Sequence, residues 1–195
     1  SNSMVANTSD VTSGYWNPAG LSRMANNYEL GLMHAEYFTG IAKYDYLGGA
    51  MEIDSNQHIG ASILRFGVDK IPNTTQLIDN QGNIDYDRIS YFSAADYAFI
   101  FSYSRKSDIK NLTYGGNVKI IHRSIGNFAK SWGFGLDIGM QYRLHNWQFG
   151  ATIKDVTTSF NAWSFREEKL KIETQDTLFN FAPDNNIELT FPKLT

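Results

Sequence analysis

Residues 132–144 read Trp-Gly-Phe-Gly-Leu-Asp-Ile-Gly-Met-Gln-Tyr-Arg-Leu, with a large apolar residue at every second position. Glycine, aspartate, glutamine and arginine fill the positions between them. Because a β-strand turns its side chains by half a revolution per residue, this alternation predicts a strand with two unlike faces. The stretch is longer than the ~5–6 residues usual in soluble sheets and reaches the ~9–11 residues of a transmembrane strand. The simplest interpretation is that the apolar face meets lipid and the polar face lines a barrel.

The same alternation recurs along the chain. It is clear in 97–105, 112–122 and 147–154, and 186–192 resembles another strand, with Ile187, Leu189 and Phe191 on one face. It fades at Arg65 and Phe66 after a start at 57, and it is noisier in 28–38 and 44–54. No stretch approaches the ~18 consecutive apolar residues of a spanning helix, and no long amphipathic helical pattern is present. The sequence therefore predicts an all-β fold: an antiparallel up-and-down transmembrane β-barrel, with about eight strands in this chain.

The amino-acid composition limits the classes of function that the protein can have. Aromatic residues make up 14% of the chain, which suits a barrel with aromatic girdles. The net charge of -3, with lysine and arginine scattered, argues against a nucleic-acid partner. The absence of cysteine excludes disulfides and cysteine nucleophiles. We expect a bacterial outer-membrane location, with membrane lipid as a partner. We also expect a removed signal peptide and further strands beyond Thr195, because the strand pattern there has no terminator.

The connections between predicted strands alternate in length. Short turns include Ser55-Asn56 and His145-Asn146, whereas the segments near 68–95 and 155–185 are long. Outer-membrane barrels have short periplasmic turns and longer extracellular loops, so this alternation predicts that the two long segments face outside. The aspartates of the first long loop do not follow the spacing of a calcium-binding EF-hand loop, and we expect no metal site.

Residues 1–27 do not alternate and form a separate predicted unit before the strands of 28–195. Asn17 precedes Pro18, and an asparagine there can cap a helical turn by accepting a backbone N–H two or three residues further on. Trp16 and Leu21 give this short element apolar surface to bury. The residues alone predict a small plug or an N-terminal latch.

The stretch Asp10-Val-Thr-Ser-Gly-Tyr-Trp-Asn-Pro-Ala-Gly-Leu21 resembles the N-terminal signature of the FadL-like outer-membrane barrels. The more similar group is PorV/PorQ of Bacteroidetes, relatives of FadL associated with type IX secretion, which the strand from Trp132 and the stretch 149–157 also resemble. The resemblance implies a barrel of about fourteen strands whose N-terminal segment is a hatch in the lumen. Asn17, Pro18, Ala19 and Gly20 would form the core of that hatch.

Glycines at polar-face positions have two interpretations. They would leave room for the hatch and a ligand, or they would only relieve crowding and permit curvature of the barrel. The residues concerned include Gly60, Gly115, Gly133, Gly135 and Gly139.

Two functions follow from the resemblance, and the sequence does not decide between them. A FadL-like barrel binds a hydrophobic molecule and passes it across the outer membrane as the hatch rearranges. An aromatic pocket for such a ligand, or alternatively an interfacial girdle, would come from Phe160, Trp163, Phe165, Phe179 and Phe181. A PorV/PorQ-like component would instead bind secreted cargo or other secretion proteins through its long outer loops.

Two other classes of protein fit the sequence less well. An enzyme in a barrel would need a nucleophile, a base and an acid that converge, and none of the four histidines shows such spacing. We therefore expect no catalytic residues and no cofactor. A soluble lipocalin-like barrel would turn the apolar face of 132–144 inward and leave a glycine-rich face in water, which is poor for a solvated strand.

Overall fold

The computed structural model describes residues 4–74, 77–78, 82–156, 159–165, 171–174, 177–180 and 187–195. An N-terminal segment contains two short helices, α1 (Met4–Asn7) and α2 (Ser13–Trp16), and a 3-10 helix (Pro18–Arg23). The strands follow: β1 (Tyr28–Tyr37), β2 (Ala42–Asp54), β3 (Gln57–Asn73), β4 (Ser90–Lys106), β5 (Leu112–Ile125), β6 (Ala129–Leu144), β7 (Trp147–Lys154), β8 (Ser159–Phe165), β9 (Lys171–Thr174), β10 (Thr177–Asn180), β11 (Ile187–Thr190) and β12 (Lys193–Leu194).

The strands form an antiparallel meander. Ten of them belong to one sheet, and β9 and β10 form a separate hairpin. Strands β1 to β6 lie side by side in chain order. Strands β7 and β8 lie end to end and both pair with β6. Beyond them, β12 pairs with β7 and β11 pairs with β8, so the sheet is eight strands wide. The all-β, antiparallel prediction is confirmed. Within the described residues, no helix is long and apolar enough to cross a membrane.

The first long loop is shorter than predicted. Strand β3 continues to Asn73 and β4 begins at Ser90, so the connection is 74–89 rather than 68–95. The alternation fades at Arg65 and Phe66 because a charged residue takes a position on the apolar face there, although the backbone ladder is regular as far as Val68. A bulge then follows between Val68 and Ile71, with Lys70 at a φ of 58°. Backbone pairing between β3 and β4 resumes beyond this bulge. The alternation of side chains in the sequence does not reveal such resumed pairing. A 3-10 turn at Tyr86–Arg88 lies within the connection.

The second predicted loop, 155–185, also contains strands. Strand β8 continues along β6 after an interruption: Ile138 opposes Ile153, and four residues along β6, Phe134 opposes Phe160, which is seven residues along the partner. Between these two pairs the partner has three residues more than β6, which defines a bulge between β7 and β8. The aromatic residues Phe160, Trp163 and Phe165 belong to this resumed strand, in keeping with the preference of aromatic residues for strands.

The two faces of the sheet differ in what covers them. On β6, Trp132, Phe134 and Ile138 are 57%, 46% and 49% exposed, whereas Asp137 and Gln141 of the opposite face are 3% and 1% exposed. We call these the apolar face and the polar face. The apolar face also carries Leu47, Ile63 and Phe101, all exposed. Along β6 the polar side chains are therefore buried and the large apolar ones are exposed, which is the reverse of the ordinary arrangement in a globular domain.

The N-terminal segment covers the polar face. Helix α1 contacts β6 and β7, α2 contacts β3 and β4, and the 3-10 helix contacts β3 to β6. Two small apolar clusters lie on this side of the sheet. One comprises Val11, Leu21 and Ala50, and the other comprises Tyr46, Leu64 and Ile100.

Candidate functional site: the N-terminal segment on the polar face

Asn17 is the central residue of the N-terminal segment. Its backbone is extended between α2 and the 3-10 helix, and its side-chain Oδ1 accepts a hydrogen bond from the Ala19 N–H at 3.1 Å. The predicted capping role is therefore confirmed. The side-chain Nδ2 donates to the Val5 carbonyl at 2.8 Å and to the Met140 carbonyl of β6 at 3.0 Å. With 0% of its surface exposed, Asn17 joins two parts of the segment to the sheet.

Pro18, Ala19 and Gly20 continue from Asn17 as a buried turn of 3-10 helix. The Ala19 carbonyl accepts a hydrogen bond from Ser104 Oγ at 3.1 Å, and Ser104 Oγ lies 2.7 Å from Ser22 Oγ. A Cβ at Gly20 would lie 2.6 Å from Ser13 Oγ, so only glycine fits between the segment's own turns. The structure thus brings the four motif residues together on β4, β5 and β6.

Two glycines of the sheet allow this close approach. A Cβ at Gly115 would lie 2.8 Å from the Pro18 carbonyl carbon and 2.9 Å from the Ala19 nitrogen. A Cβ at Gly139 would overlap Asn17 Oδ1 and lie 3.1 Å from Pro18 Cδ. At these positions the first interpretation of the polar-face glycines holds: a missing side chain makes room for a neighbouring backbone. Gly133 and Gly135, on the same face, are buried.

Polar side chains of β5, β6 and β7 bind backbone carbonyls of the N-terminal segment. Gln141 Nε2 donates to the Val5 and Thr8 carbonyls at 3.1 and 3.0 Å. Asn117 Nδ2 donates to the Gly14 carbonyl at 2.7 Å, and Lys154 Nζ donates to the Tyr15 carbonyl at 3.1 Å. Sequence reasoning assigned these residues to the polar face without naming a partner. The sequence signal for these residues is their alternation with apolar residues, which indicates the face of the sheet that they occupy.

A buried ion cluster lies beside these contacts. Lys119 Nζ is 2.7 Å from Asp137 Oδ1 and 2.7 Å from Asp155 Oδ1. The Asp155 N–H donates to Asp137 Oδ1 at 3.0 Å, and Asp155 has a φ of 56° at the bulge between β7 and β8. Asn117 Nδ2 lies 3.1 Å from Asp137 Oδ2. The cluster therefore holds the bulge and shares Asn117 with the N-terminal segment.

Arg23 fixes the end of the segment. Its Nη2 donates to the Asn111 and Gln141 carbonyls at 2.5 and 3.1 Å, and its Nε donates to Thr113 Oγ1 at 3.2 Å. Burial lowers the pKa of the guanidinium from its ordinary value, and the nearby charge of Arg143 lowers that pKa further. An arginine keeps its proton in proteins, so Arg23 remains a cationic anchor for three backbone or hydroxyl oxygens.

The predicted aromatic lining residues do not all lie on one face. Trp163 and Phe165 stack with their ring centroids 5.9 Å apart, and Trp163 opposes Ser131 of the polar face. The register places Phe160 opposite Phe134, a residue of the apolar face. Phe179 belongs to the hairpin strand β10, opposite Ile172, and Phe181 lies outside the described residues.

Among the described residues, no group of three or more histidine, aspartate or glutamate side chains is arranged to hold a metal ion. The site is instead a packed interface: carbonyls of the N-terminal segment accept hydrogen bonds from amide, ammonium and guanidinium groups of the sheet. Comparisons with family models, with curated proteins and with solved structures found no match.

Proposed function

We propose that the chain forms wall strands and the hatch of an outer-membrane β-barrel of the FadL-like type, which binds hydrophobic molecules and passes them across the outer membrane. The wall contains the ten-stranded sheet, and the hatch is the segment 4–24. The long connections face the outside of the cell.

One observation carries this proposal: the polar face is buried and the apolar face is exposed. A soluble barrel of the lipocalin type would bury Phe134 and Ile138, which are 46% and 49% exposed. It would place Asp137 and Lys119 in water, yet their side chains are 3% and 12% exposed. Exposed leucine, isoleucine and phenylalanine side chains over many strands are stable in contact with hydrocarbon and unstable in contact with water.

Cell fractionation tests the membrane proposal. The full-length gene product should be recovered in the outer-membrane fraction, should need detergent for extraction, and should migrate differently on gels before and after heating. Mass spectrometry of the extracted protein should find co-purified lipid or another hydrophobic molecule. Recovery in the periplasmic fraction without detergent would refute the proposal.

A reversible crosslink tests whether the hatch must move. Ser22 Oγ and Ser104 Oγ are 2.7 Å apart, one on the hatch and one on β4, so cysteines at both positions are close enough for a disulfide. The chain has no cysteine of its own, so the pair would be the sole thiols. We expect the oxidised Ser22→Cys/Ser104→Cys protein to lose uptake of a hydrophobic substrate and to regain it on reduction. Each single variant serves as the control.

The number of bonds on the hatch favours a second candidate, a PorV/PorQ-like component of type IX secretion. Asn17, Gln141 and Arg23 alone make several buried contacts between hatch and wall, each of which contributes about 0.5–1.5 kcal/mol. A fixed hatch suits a barrel that holds cargo or partner proteins through its outer loops. Unchanged uptake in the oxidised double variant, with secretion partners co-purified, would favour this function over transport.

A further inference from the structure

A groove of about 570 Å³ lies on the apolar face across β1 to β4. Its floor is formed by two small residues on neighbouring strands, Gly49 and Ala61, which directly oppose each other. Larger side chains surround this pair, namely Leu30, Met51, Ile59 and Phe101. The wall of the proposed barrel is therefore indented at this place, with a shape and polarity that fit an acyl chain.

A polar row crosses the same face above the groove. Four residues beyond Leu30, Gly49, Ala61 and Phe101 on their respective strands lie His34, Asp45, Arg65 and Tyr97, which oppose one another in the sheet. Residues separated by an even number lie on the same side of a strand, so the row and the groove share the apolar face. At ~3.3 Å per residue the two are about 13 Å apart, within the length of one acyl chain.

Arg65 is held in place within this row. Its Nη1 donates to Asp45 Oδ2 at 3.1 Å and its Nε donates to Tyr97 Oη at 3.3 Å. Its Nη2 lies over Gly67, where a Cβ would come within 2.8 Å of it. Glycine at this position lets the guanidinium lie against the sheet, and the Arg65 side chain remains 28% exposed, so an oxyanion can reach it from outside the wall. A guanidinium fixed on two sides loses little side-chain entropy when it binds an anion.

His34 and Asp45 of this row, together with Glu36 beside His34, favour one kind of headgroup. The carboxylates of Asp45 and Glu36 flank His34, at 2.6 Å from Nδ1 and 3.5 Å from Nε2 respectively. Carboxylates repel a headgroup with several negative charges, but they accept hydrogen bonds from hydroxyl groups. One phosphate for Arg65 and hydroxyl donors for the carboxylates are both present in a phosphorylated sugar.

We propose that this surface binds one glycolipid of the lipid A type, with its phosphate on Arg65, sugar hydroxyls on Asp45 and Glu36, and one acyl chain over Gly49 and Ala61. The inference rests on the proposed outer-membrane function. It agrees with the proposed orientation, since the polar row lies toward the end of the sheet that carries the long connection 74–89. That end faces the outer leaflet, which is where such glycolipids reside.

Competition among three lipids tests the proposal. The full chain, purified in detergent, is incubated with equal amounts of monophosphoryl lipid A, phosphatidylethanolamine and phosphatidylglycerol, and the retained lipid is measured by mass spectrometry after gel filtration. We expect preferential retention of monophosphoryl lipid A. We expect Arg65→Gln to weaken that retention about tenfold, which is the effect of losing one charge-assisted hydrogen bond. Equal retention of the three lipids would overturn the inference.

Two further variants separate headgroup from acyl chain. Tyr97→Phe leaves the charge of Arg65 but removes one of its two supports, so we expect a smaller loss, specific to lipid A. Ala61→Leu fills the groove and should weaken retention of all three lipids. Val118→Leu is the matched control, because Val118 opposes Phe101 on the same face but does not line the groove. It should change nothing.

Other outcomes count against the proposal in distinguishable ways. If Ala61→Leu abolishes a dimer of the lipid-free protein, a second copy of the chain occupies the groove instead. If the protein fractionates to the outer membrane but retains no lipid A, the lipid site is wrong and the proposed barrel stands. If the protein is recovered from the periplasm without detergent and retains no lipid, both proposals fail.

Discussion

Asn17 illustrates how one side chain can fix a segment with little regular structure. Its amide contacts Val5, Ala19 and Met140, which belong to α1, the 3-10 helix and β6. The segment contains no strand and only short helices, so side-chain contacts with the wall must supply most of its stability. A buried amide with both ends bonded is suited to this role, because any other position of the segment would leave buried polar groups unpaired.

Asn17→Ala should destabilise the protein by about 2–4 kcal/mol, because the Val5 and Met140 carbonyls lose their donor in a buried site. Urea unfolding in lipid vesicles, followed by tryptophan fluorescence, measures the loss. Asn26→Ala is the control, since the Asn26 side chain makes a single exposed contact with Glu29 at 3.3 Å. An equal and small effect of the two substitutions would contradict the central role of Asn17.

Parts of this residue-scale picture follow from the sequence. The pair Asn17-Pro18 predicted a capped turn, and alternation on β6 predicted that Asp137 and Gln141 share a face. The partners of those side chains could not be predicted, because a period of two gives the face of a residue but not which distant backbone approaches it. Gly115 and Gly139 show the same limit: a glycine reports a missing side chain and not the neighbour that needs the space.

The elements were predicted best where two regular strands pair without interruption. Strands β6 and β7 match the patterns at 132–144 and 147–154. The last residues of β3 and the first of β4 were missed because the side chains of 65–73 and 90–96 do not alternate, although the backbones pair on both sides of the irregularity after Val68. Strand β8 was missed because its aromatic residues do not alternate: Phe160 opposes Phe134 of the apolar face, whereas Trp163 opposes Ser131 of the polar face.

The bulge between β7 and β8 depends on the cluster of Lys119, Asp137 and Asp155. Lys119→Met should destabilise the protein by about 3–5 kcal/mol, because it leaves two carboxylates without their cation in a buried site. Unfolding in lipid vesicles measures the effect. Lys43→Met is the matched control: its ion pair with Asp69 is half-exposed, and we expect a loss of ~0–1 kcal/mol.

The double variant Lys119→Met/Asp137→Asn tests the same cluster. Removal of one carboxylate charge should recover part of the stability lost in Lys119→Met. If Lys119→Met costs no more than Lys43→Met, the cluster does not hold the bulge.

At the scale of the whole molecule, the main question is whether the exposed apolar face contacts lipid or water. Ile138 lies at the middle of the stretch 132–144 and is 49% exposed. In a membrane, Ile138→Arg places a charge near the centre of the bilayer and should cost about 2–4 kcal/mol. In water, the same change at a half-exposed position should cost no more than about 0.5 kcal/mol.

Refolding of Ile138→Arg into vesicles, with stability measured in urea, distinguishes these cases. Ile109→Arg is the control of identical chemistry, because Ile109 is exposed in the turn between β4 and β5 and should tolerate the charge at ~0–1 kcal/mol. Similar small costs at both positions would place the apolar face in water and remove the basis of the proposed function.

The contact between Gln141 and Val5 has a consequence for the order of assembly. The two residues are 136 positions apart in the chain, and Gln141 lies on β6 while Val5 lies in α1. The segment that contains Val5 therefore has no docking partner until β6 is made and positioned. Because closing so long a loop is slow, we expect the segment that contains Val5 to dock last, after the strands have paired.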